Sequence, residues 1–299
     1  MPPARAKPSD IAAEAKKTYI PYVEKMLPQF PASSFVHADS SLIPVDAELR
    51  GKERLRVAVI DGDPVDVALD WHEANVNGAG HTSSGQNGAT TAPPSRIALV
   101  NMANEKRAGG DWESGLLAPE ECLCRRSNLI VALHTVHHDA LRPHYPLPPR
   151  GGLYSPFVVV FRSGPEYYEV WSEFKPIPVI SVSPVRRPKL DASGDRYAFE
   201  QEKELMQEKI RTILRLAARH RHKDLCLGAF GVGPHFRNPV GQVAIMWREV
   251  LFDEPEFSGV FANVVFGIEK GQVSGSNDSP TDFDVFKHEF NPSRILRTA

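Results

Sequence analysis

A short apolar run that ends in asparagine and leads into a glycine pair constrains this sequence more than any other feature. Residues 97–100 read Ile-Ala-Leu-Val and predict a buried strand, which ends at Asn101. Gly109 and Gly110 follow in the next loop, where the lack of a side chain lets the backbone approach a ligand closely. Because the carboxyl ends of strands in α/β sheets border ligand crevices, we expect a binding site at this loop.

An acidic pair comes next, at the predicted start of an apolar helix that reaches Leu133. Glu120 and Glu121 could transfer protons to and from a bound ligand. The same pair could instead only stabilise the helix, because negative charge near a helix N-terminus is favourable. The residues alone leave both interpretations open.

Strands and helices alternate along the rest of the chain. Hydrophobic periodicity predicts further strands at residues 55–60, 157–161, 177–182, 225–229 and 260–266, and helices at 9–27, 63–75, 196–219 and from Asn238 onward. This alternation predicts an α/β fold whose sheet is covered by helices on both faces. With 299 residues and 41% hydrophobic content, the chain can form one elaborated domain with a sizeable core.

Composition divides the chain into three parts. We expect an N-terminal helical extension at residues 1–50, the catalytic or binding domain at 51–268, and a polar surface tail at 269–299. Within the domain, residues 77–94 are rich in Gly, Ser, Thr and Asn and have almost nothing to bury, which predicts a flexible insertion.

The charge and cysteine content narrow the choice of partners. A net charge of -2 argues against a broad basic surface for nucleic acid, so an anionic ligand must be held by local geometry. No run of eighteen or more apolar residues occurs and the N-terminus lacks an apolar signal core, so we expect an intracellular protein, cytoplasmic or nuclear, without a membrane partner. We also expect a monomer. The three cysteines, Cys122, Cys124 and Cys226, suit a reducing compartment and not a disulfide scaffold.

A histidine cluster invites a metal interpretation. His134 and His138 are one helical turn apart, and His137, Asp139 and His144 lie nearby. The alternative is that these histidines only meet the negative end of the preceding helix, as histidines commonly do. We expect this second interpretation to hold, and we predict neither a metal nor another cofactor.

Three motifs, in consistent order over about residues 10 to 268, resemble those of the microbial-type poly(ADP-ribose) glycohydrolases, a macrodomain family. The first two motifs are Ala108-Gly109-Gly110-Asp111, similar to the family's Gly-Gly-Gly loop, and Pro119-Glu120-Glu121, similar to its Gln-Glu-Glu. The third is the segment LGAFGVGPHFRNP at residues 227–239, which resembles the family's second glycine-rich loop but is one residue longer. Tyr154-Ser155-Pro156 resembles the start of the strand between the two loops.

The resemblance implies a macrodomain-like three-layer α/β/α fold with a mixed central sheet. It also implies recognition of ADP-ribose or of poly(ADP-ribose) on modified proteins. By position, Glu121 corresponds to the catalytic proton-transfer residue and Glu120 to the residue that binds the ribose hydroxyls. Asn101 corresponds to the residue that orients the terminal ribose, and Gly109, Gly110 and Asp111 form the adjacent loop.

The second glycine-rich loop is expected to hold the diphosphate. Backbone N–H groups of a glycine-rich turn before a helix are suited to bind phosphate. The candidate ligand-binding residues of this loop are Gly228, Ala229, Gly231, Val232, Gly233 and Phe236. The glycines could instead only form a tight turn, and Phe236 could be either a ribose or adenine contact or a core aromatic.

Two departures from the family motifs bear on activity. Asp111 replaces the third glycine, so its carboxylate would either repel phosphate or point into solvent. Pro119 replaces the glutamine, which keeps a residue suited to the first helical turn but removes an amide side chain. We favour a glycohydrolase over an inactive ADP-ribose reader, because both carboxylates are retained. Hydrolysis of a related nucleotide is a third possibility.

Overall fold

The computed structural model describes residues 6–52, 54–79, 97–137, 144–271 and 280–295. These residues form one eight-stranded sheet. The strands are β1 (Ser34–His37), β2 (Arg56–Ile60), β3 (Ile97–Met102), β4 (Val136–His137), β5 (Gly152–Arg162), β6 (Val170–Val182), β7 (Asp224–Leu227) and β8 (Asn263–Gly267). Their order across the sheet is β2-β8-β7-β3-β6-β5-β1-β4.

Helices cover both faces of this sheet. They are α1 (Pro8–Glu14), α2 (Ile20–Met26), α3 (Pro64–Ala79), α4 (Pro119–Arg126), α5 (Leu129–His134), α6 (Glu200–Arg219), α7 (Val240–Phe252), α8 (Asp282–Glu289) and α9 (Pro292–Ile295). A five-residue π-helical segment, Ala15–Tyr19, joins α1 to α2.

The two faces of the strands contribute to separate cores. Ala98 and Val100 of β3 pack with α6, α7 and α8, whereas Ile97 and Leu99 pack with the helices α1 to α5. This alternation follows from the period of two along a strand. It explains why β3 is apolar along almost its whole length, because both of its faces are buried. The predicted three-layer α/β/α arrangement is therefore confirmed.

Five neighbouring strands are parallel, and this places their carboxyl ends at one edge. β2, β8, β7, β3 and β6 pair in parallel in that order, whereas β5 is antiparallel to both β6 and β1. The sheet is therefore mixed, as expected. The loops that follow the five parallel strands meet at the same edge, which is the place where α/β folds bind ligands.

The structure differs from the sequence expectations in the region before residue 50 and in the helix after Glu121. Ser34–His37 is a strand of the central sheet, so the predicted N-terminal extension is not purely helical. The predicted helix reaching Leu133 is divided into α4 and α5. Ser127 interrupts it because its side-chain oxygen donates to Leu123 O at 2.6 Å and accepts from Leu129 N at 3.2 Å.

The C-terminal segment also requires a correction. Residues 280–295 are not a polar surface tail, because α8 begins with a capping box at Thr281 and Asp284 and packs on the sheet. Phe283, Phe286 and Phe290 are buried in the core of that face. Residues 272–279 of the predicted tail and residues 80–94 of the predicted insertion lie outside the described residues, and α3 extends to Ala79. In the part of the chain that is described, no helix is both long and apolar enough to cross a membrane.

Candidate active site

A cleft of about 390 Å³ runs along the carboxyl ends of the parallel strands. Several residues between Leu117 and Arg126, in and just before α4, line it. Five further segments contribute, residues 63–65, 99–102, 228–229, 232–236 and 267–269. These segments belong to or directly follow β2, β3, β7 and β8, which are neighbours in the sheet. The cleft therefore spans four adjacent strand ends, and the loops expected to form a site do meet there.

A second cleft, of about 340 Å³, adjoins the first. Met102, His235 and Phe236 line both clefts and form the boundary between them. Glu120 and Glu121 line the second cleft, whereas Asn101 lines the first. The acidic pair and Asn101 therefore line adjoining clefts.

The first glutamate is held by a buried hydrogen-bond network. Asn101 Nδ2 donates to Glu120 Oε1 at 3.2 Å, and Asn104 N donates to Glu120 Oε2 at 2.8 Å. Asn101 Nδ2 also donates to Ser181 Oγ at 3.1 Å, which fixes the amide between β3 and β6. Burial raises the pKa of Glu120 to about 8, despite these donors, so the carboxyl group is mostly uncharged at pH 7.

Asn101 has a further property that suits ligand binding. Its side chain is buried, yet among the described residues its Oδ1 atom has no hydrogen-bond partner. A buried acceptor left without a donor is costly, and a ligand hydroxyl group could supply the missing hydrogen bond.

The glycine pair shapes the loop around Glu121. Gly109 and Gly110 have φ angles of +68° and +53°, in the left-handed region that disfavours residues with a side chain. A Cβ atom at Gly110 would lie 2.2 Å from Glu121 Oε1, and the following Asp111 N donates to the same oxygen at 3.1 Å. The loop therefore packs directly on this carboxylate.

Neither glycine of the pair lines either cleft. A Cβ atom at Gly109 would lie 2.6 Å from Ile130 Cδ1, inside the core. The structure thus places Gly109 and Gly110 beside Glu121 and not at the cleft surface. Glycine is required at both positions because the backbone there lies very close to other side chains of the protein.

The two departures from the family motifs have structural consequences. Asp111 lines the second cleft, and its half-exposed carboxylate forms an ion pair with Arg107, four residues earlier. Its negative charge is therefore partly offset at the cleft. Pro119 is the first residue of α4, as expected, so Glu120 and Glu121 remain in the first turn.

The second glycine-rich loop lines the first cleft with most of its predicted residues. Gly228, Ala229, Val232 and Gly233 contribute directly, and Phe236 is buried at the boundary between the clefts. Phe236 thus belongs to the core and also borders both clefts, and its contact with ribose or adenine stays a prediction.

Gly231 does not line either cleft. A Cβ atom at Gly231 would lie 2.7 Å from Met206 Cε, and its φ is +78°. Asn238 holds this part of the loop, because its Nδ2 donates to Gly231 O and to Val185 O, both at 2.7 Å. Gly231 is therefore a packing residue, whereas a Cβ at Gly233 would meet no atom within 4 Å.

Sequence reasoning missed the far end of the first cleft. Asp63 lines it and accepts from Val65 N at 3.0 Å and from Asp66 N at 3.1 Å, at the start of α3. Arg126 Nη1 donates to Asp63 Oδ1 at 2.8 Å, and Arg126 also pairs with Asp66. The sequence predicts a helix start at Asp63. The position of Asp63 beside the end of β8 depends on the order of the strands, which the sequence pattern does not give.

The histidine cluster has local partners. His134 Nδ1 lies 2.8 Å from Ile130 O, and His144 Nε2 lies 2.6 Å from Leu133 O. Within the described residues, no group of three or more His, Cys, Asp or Glu side chains is arranged to hold a metal ion. His138 and Asp139 lie outside the described residues.

The fold and the paired clefts define a macrodomain-like α/β/α protein. Residues 39–163 match the family described as microbial-type PARG, catalytic domain, where PARG denotes poly(ADP-ribose) glycohydrolase. The resemblance inferred from the motifs is thereby confirmed, and the matched residues include Asn101 and the acidic pair. The second glycine-rich loop lies beyond the matched residues. No curated protein matches the chain.

Solved structures of bacterial enzymes share the fold over most of the chain. The poly(ADP-ribose) glycohydrolase from Thermomonospora curvata is 24% identical, with a TM-score of 0.65, covering 94% of this chain and 98% of its own. The same enzyme bound to the inhibitor ADP-HPD gives a TM-score of 0.64 at 24% identity, with the same coverage of 94% and 98%. The enzyme from Deinococcus radiodurans in complex with ADP-ribose is 21% identical, with a TM-score of 0.63, covering 90% of this chain and 98% of its own.

Proposed function

We propose that this protein binds ADP-ribose in the first cleft and hydrolyses ribose-ribose glycosidic bonds of poly(ADP-ribose) beside Glu121. The observation that carries the proposal is that Glu121 lines the second cleft, residues 228–229 and 232–234 line the first, and His235 and Phe236 of the same loop line both. The family match and the related structures, several of them with ADP-ribose or an inhibitor bound, support the same assignment.

The order of the strands suggests how the ligand lies. Adjacent strands are about 4.8 Å apart, so a cleft that spans four strand ends is roughly 14 Å long and suits an extended nucleotide. The terminal ribose lies near Asn101 of β3, with the diphosphate at Gly233 after β7. The adenosine then extends toward residues 63–65 and 267–269, after β2 and β8.

The arrangement of the acidic pair fits acid/base cleavage of a glycosidic bond. Glu121 protonates the departing ribose oxygen and then activates water, as the oxocarbenium-like transition state of such hydrolyses requires. Glu120 is mostly uncharged at pH 7 because burial raises its pKa to about 8, so it adds little repulsion beside Glu121. Together with Asn101, it is positioned to bind ribose hydroxyl groups.

The backbone of the site is compatible with activity despite the altered motifs. Asp111 retains the N–H that donates to Glu121 Oε1 at 3.1 Å, and its carboxylate is paired with Arg107. Pro119 retains the start of α4. The amide side chain that the resemblance implies at this position is missing.

The alternative is a reader that binds ADP-ribose without efficient turnover, and Pro119 is the observation that favours it. Calorimetric titration with ADP-ribose, beside an assay of ADP-ribose release from the polymer, separates the two functions. The enzyme shows both activities. A reader binds ADP-ribose with negligible release, and replacing Asp111 by Gly together with Pro119 by Gln should then raise release. Failure to bind ADP-ribose would contradict both functions.

The partners and the cellular setting remain predictions. We expect the polymer to be attached to modified proteins and the protein to act as a monomer inside the cell, cytoplasmic or nuclear. The described cysteines, Cys122, Cys124 and Cys226, are free thiols, which is consistent with a reducing compartment.

A further inference from the structure

The second cleft adjoins the first through Met102, His235 and Phe236, which line both. If the first cleft holds the ADP-ribose unit to be released, as the proposed function requires, the second cleft must hold whatever that unit is attached to. Its lining therefore determines which leaving group the protein accepts. Three cationic side chains line this cleft, those of Lys106, Arg107 and Arg186.

Two of these cations, Lys106 and Arg107, lie in a turn whose backbone is hydrogen-bonded to Asn104, the residue that also donates to Glu120. Asn104 Oδ1 accepts from Lys106 N at 2.9 Å and from Arg107 N at 3.3 Å, and Asn104 N donates to Glu120. The turn that carries Lys106 and Arg107 is thus connected through Asn104 to the hydrogen bonds around Glu120. Its position relative to Glu120 is fixed by hydrogen bonds between backbone N–H groups and side chains.

The third cation comes from a different loop. Arg186 follows β6, and the next residue, Arg187, donates its N–H to Phe236 O at 2.6 Å. Phe236 borders both clefts. The backbone next to Arg186 is therefore hydrogen-bonded to the end of the second glycine-rich loop. Lys106 and Arg107 belong instead to the loop that follows β3.

Four acidic side chains line the same cleft; one is Glu121, the proposed proton donor, and the other three are offset. Asp111 pairs with Arg107, and Glu120 is mostly uncharged at pH 7 because burial raises its pKa to about 8. Glu105 interacts with the buried ammonium group of Lys209. Among the described residues, Lys106 and Arg186 form no ion pair within 4.0 Å, so both remain available to an anion.

We infer that Lys106, Arg107 and Arg186 form an anion subsite for the diphosphate of the adjoining ADP-ribose unit, the one that remains on the polymer. Arginine and lysine side chains bind phosphate oxygens through charge-assisted hydrogen bonds. The subsite selects polymer over ADP-ribose attached singly to a neutral acceptor. It rests on the proposed function, because it needs the first cleft to hold the terminal unit.

The test replaces the two cations that form no ion pair, Lys106→Gln with Arg186→Gln, in a Glu121→Gln background that prevents turnover. Affinity for ADP-ribose and for size-fractionated poly(ADP-ribose) is measured by calorimetry over a series of salt concentrations. The matched control is Lys25→Gln with Arg50→Gln, which removes the same charge from two exposed residues that line neither cleft. Circular dichroism checks that all variants are folded.

We expect polymer affinity to fall on the order of tenfold, with ADP-ribose affinity within twofold of the parent. The slope of log affinity against log salt concentration should decrease in magnitude by about 1.4, because each phosphate that a cation no longer neutralises accounts for about 0.7. In the active protein, kcat/KM on polymer should fall by a similar factor, on the order of tenfold.

Two results would overturn the subsite. One is a polymer affinity equal to that of the control, and the other is an equal loss of affinity for ADP-ribose alone, which would assign the cations to the terminal unit. A parent protein that binds no ADP-ribose would instead refute the proposed function, and the subsite with it. The ADP-ribose titration of the parent therefore separates the two failures.

Discussion

Gly110→Ala should disable catalysis by displacing Glu121 while leaving the fold in place. Gly110 has a φ of +53°, and an added Cβ would lie 2.2 Å from Glu121 Oε1. Ordinary van der Waals contact begins at 3.4 Å, so the methyl group and the carboxylate must separate by about 1.2 Å. A misplacement of about 1 Å at a catalytic group can reduce turnover on the order of a hundredfold.

The assay is the release of ADP-ribose from poly(ADP-ribose), compared with the unfolding free energy from urea denaturation. The methyl group also strains the backbone, because a left-handed conformation costs a non-glycine residue roughly 1 to 2 kcal/mol. Gly194→Ala provides the matched control. Gly194 has a φ of +78°, but an added Cβ there would meet no atom within 4 Å.

Both variants should therefore lose a similar free energy of unfolding from the backbone, and only Gly110→Ala should lose activity on the order of a hundredfold. The comparison separates the strain of a left-handed residue from the contact with Glu121. Hydrolysis by Gly110→Ala within threefold of Gly194→Ala would refute the argument that this glycine keeps the carboxylate in place.

Further predictions concern the remaining parts of the structure. Gly233→Val should weaken ADP-ribose binding at least tenfold, about 1.4 kcal/mol, because its side chain enters the cleft. Gly231→Ala should chiefly lower the free energy of unfolding, by about 2 to 3 kcal/mol, because its Cβ would lie 2.7 Å from a buried methionine. Calorimetry measures the binding effect and urea denaturation the stability effect. Weaker binding in Gly231→Ala with a loss of stability in Gly233→Val would contradict both predictions. Burial raises the pKa of Glu120 to about 8, so the unfolded chain loses this proton at a lower pH than the folded protein does. The free energy of unfolding should therefore fall as the pH rises from about 4.5 to 8, on the order of 1.4 kcal/mol per pH unit. Urea denaturation at several pH values should show this slope reduced in Glu120→Gln, and an unchanged slope would argue against a buried titrating carboxyl. Phe286→Ala should lower the free energy of unfolding by about 3 to 5 kcal/mol, because the ring is fully buried; a loss below about 1 kcal/mol would mean that α8 does not belong to the core.

The centre of the fold could be predicted because its strands have a strong sequence signal. β3 is buried on both faces and is apolar along almost its whole length, so its pattern cannot be mistaken for a surface segment. β1 has only four residues, and Phe35 within it is exposed, so no such run marks it. β4 has two residues and depends on its pairing with β1.

The C-terminal helix was missed for a similar reason. Phe283, Phe286 and Phe290 follow a polar stretch, and three aromatics over eight residues do not by themselves indicate which surface they cover. The capping box at Thr281 and Asp284 was a usable signal for the start of a helix. The packing of α8 against the sheet depends on tertiary contacts, which the sequence pattern does not show.

The part of the site that is contiguous in sequence could be predicted, and the rest could not. Asn101 lies at the end of one strand, and Glu120 and Glu121 follow that strand within about twenty residues, so one short stretch of the sequence contains all three. The far end of the first cleft combines residues 63–65 with 267–269, which are separated by about two hundred residues. They meet only because β2 and β8 are neighbours in the sheet, and the order of the strands cannot be deduced from periodicity.

The most direct test of the proposed function compares Glu121→Gln with Glu113→Gln in polymer hydrolysis and in calorimetric binding of ADP-ribose. Glu113 is exposed and pairs with Lys16, so its variant controls for the loss of a carboxylate near the site. Glu121→Gln keeps the size of the side chain and removes the titratable proton. Hydrolysis should fall on the order of a hundredfold or more, with ADP-ribose affinity within about threefold of the unmodified protein. Full hydrolytic activity in Glu121→Gln would contradict the mechanism.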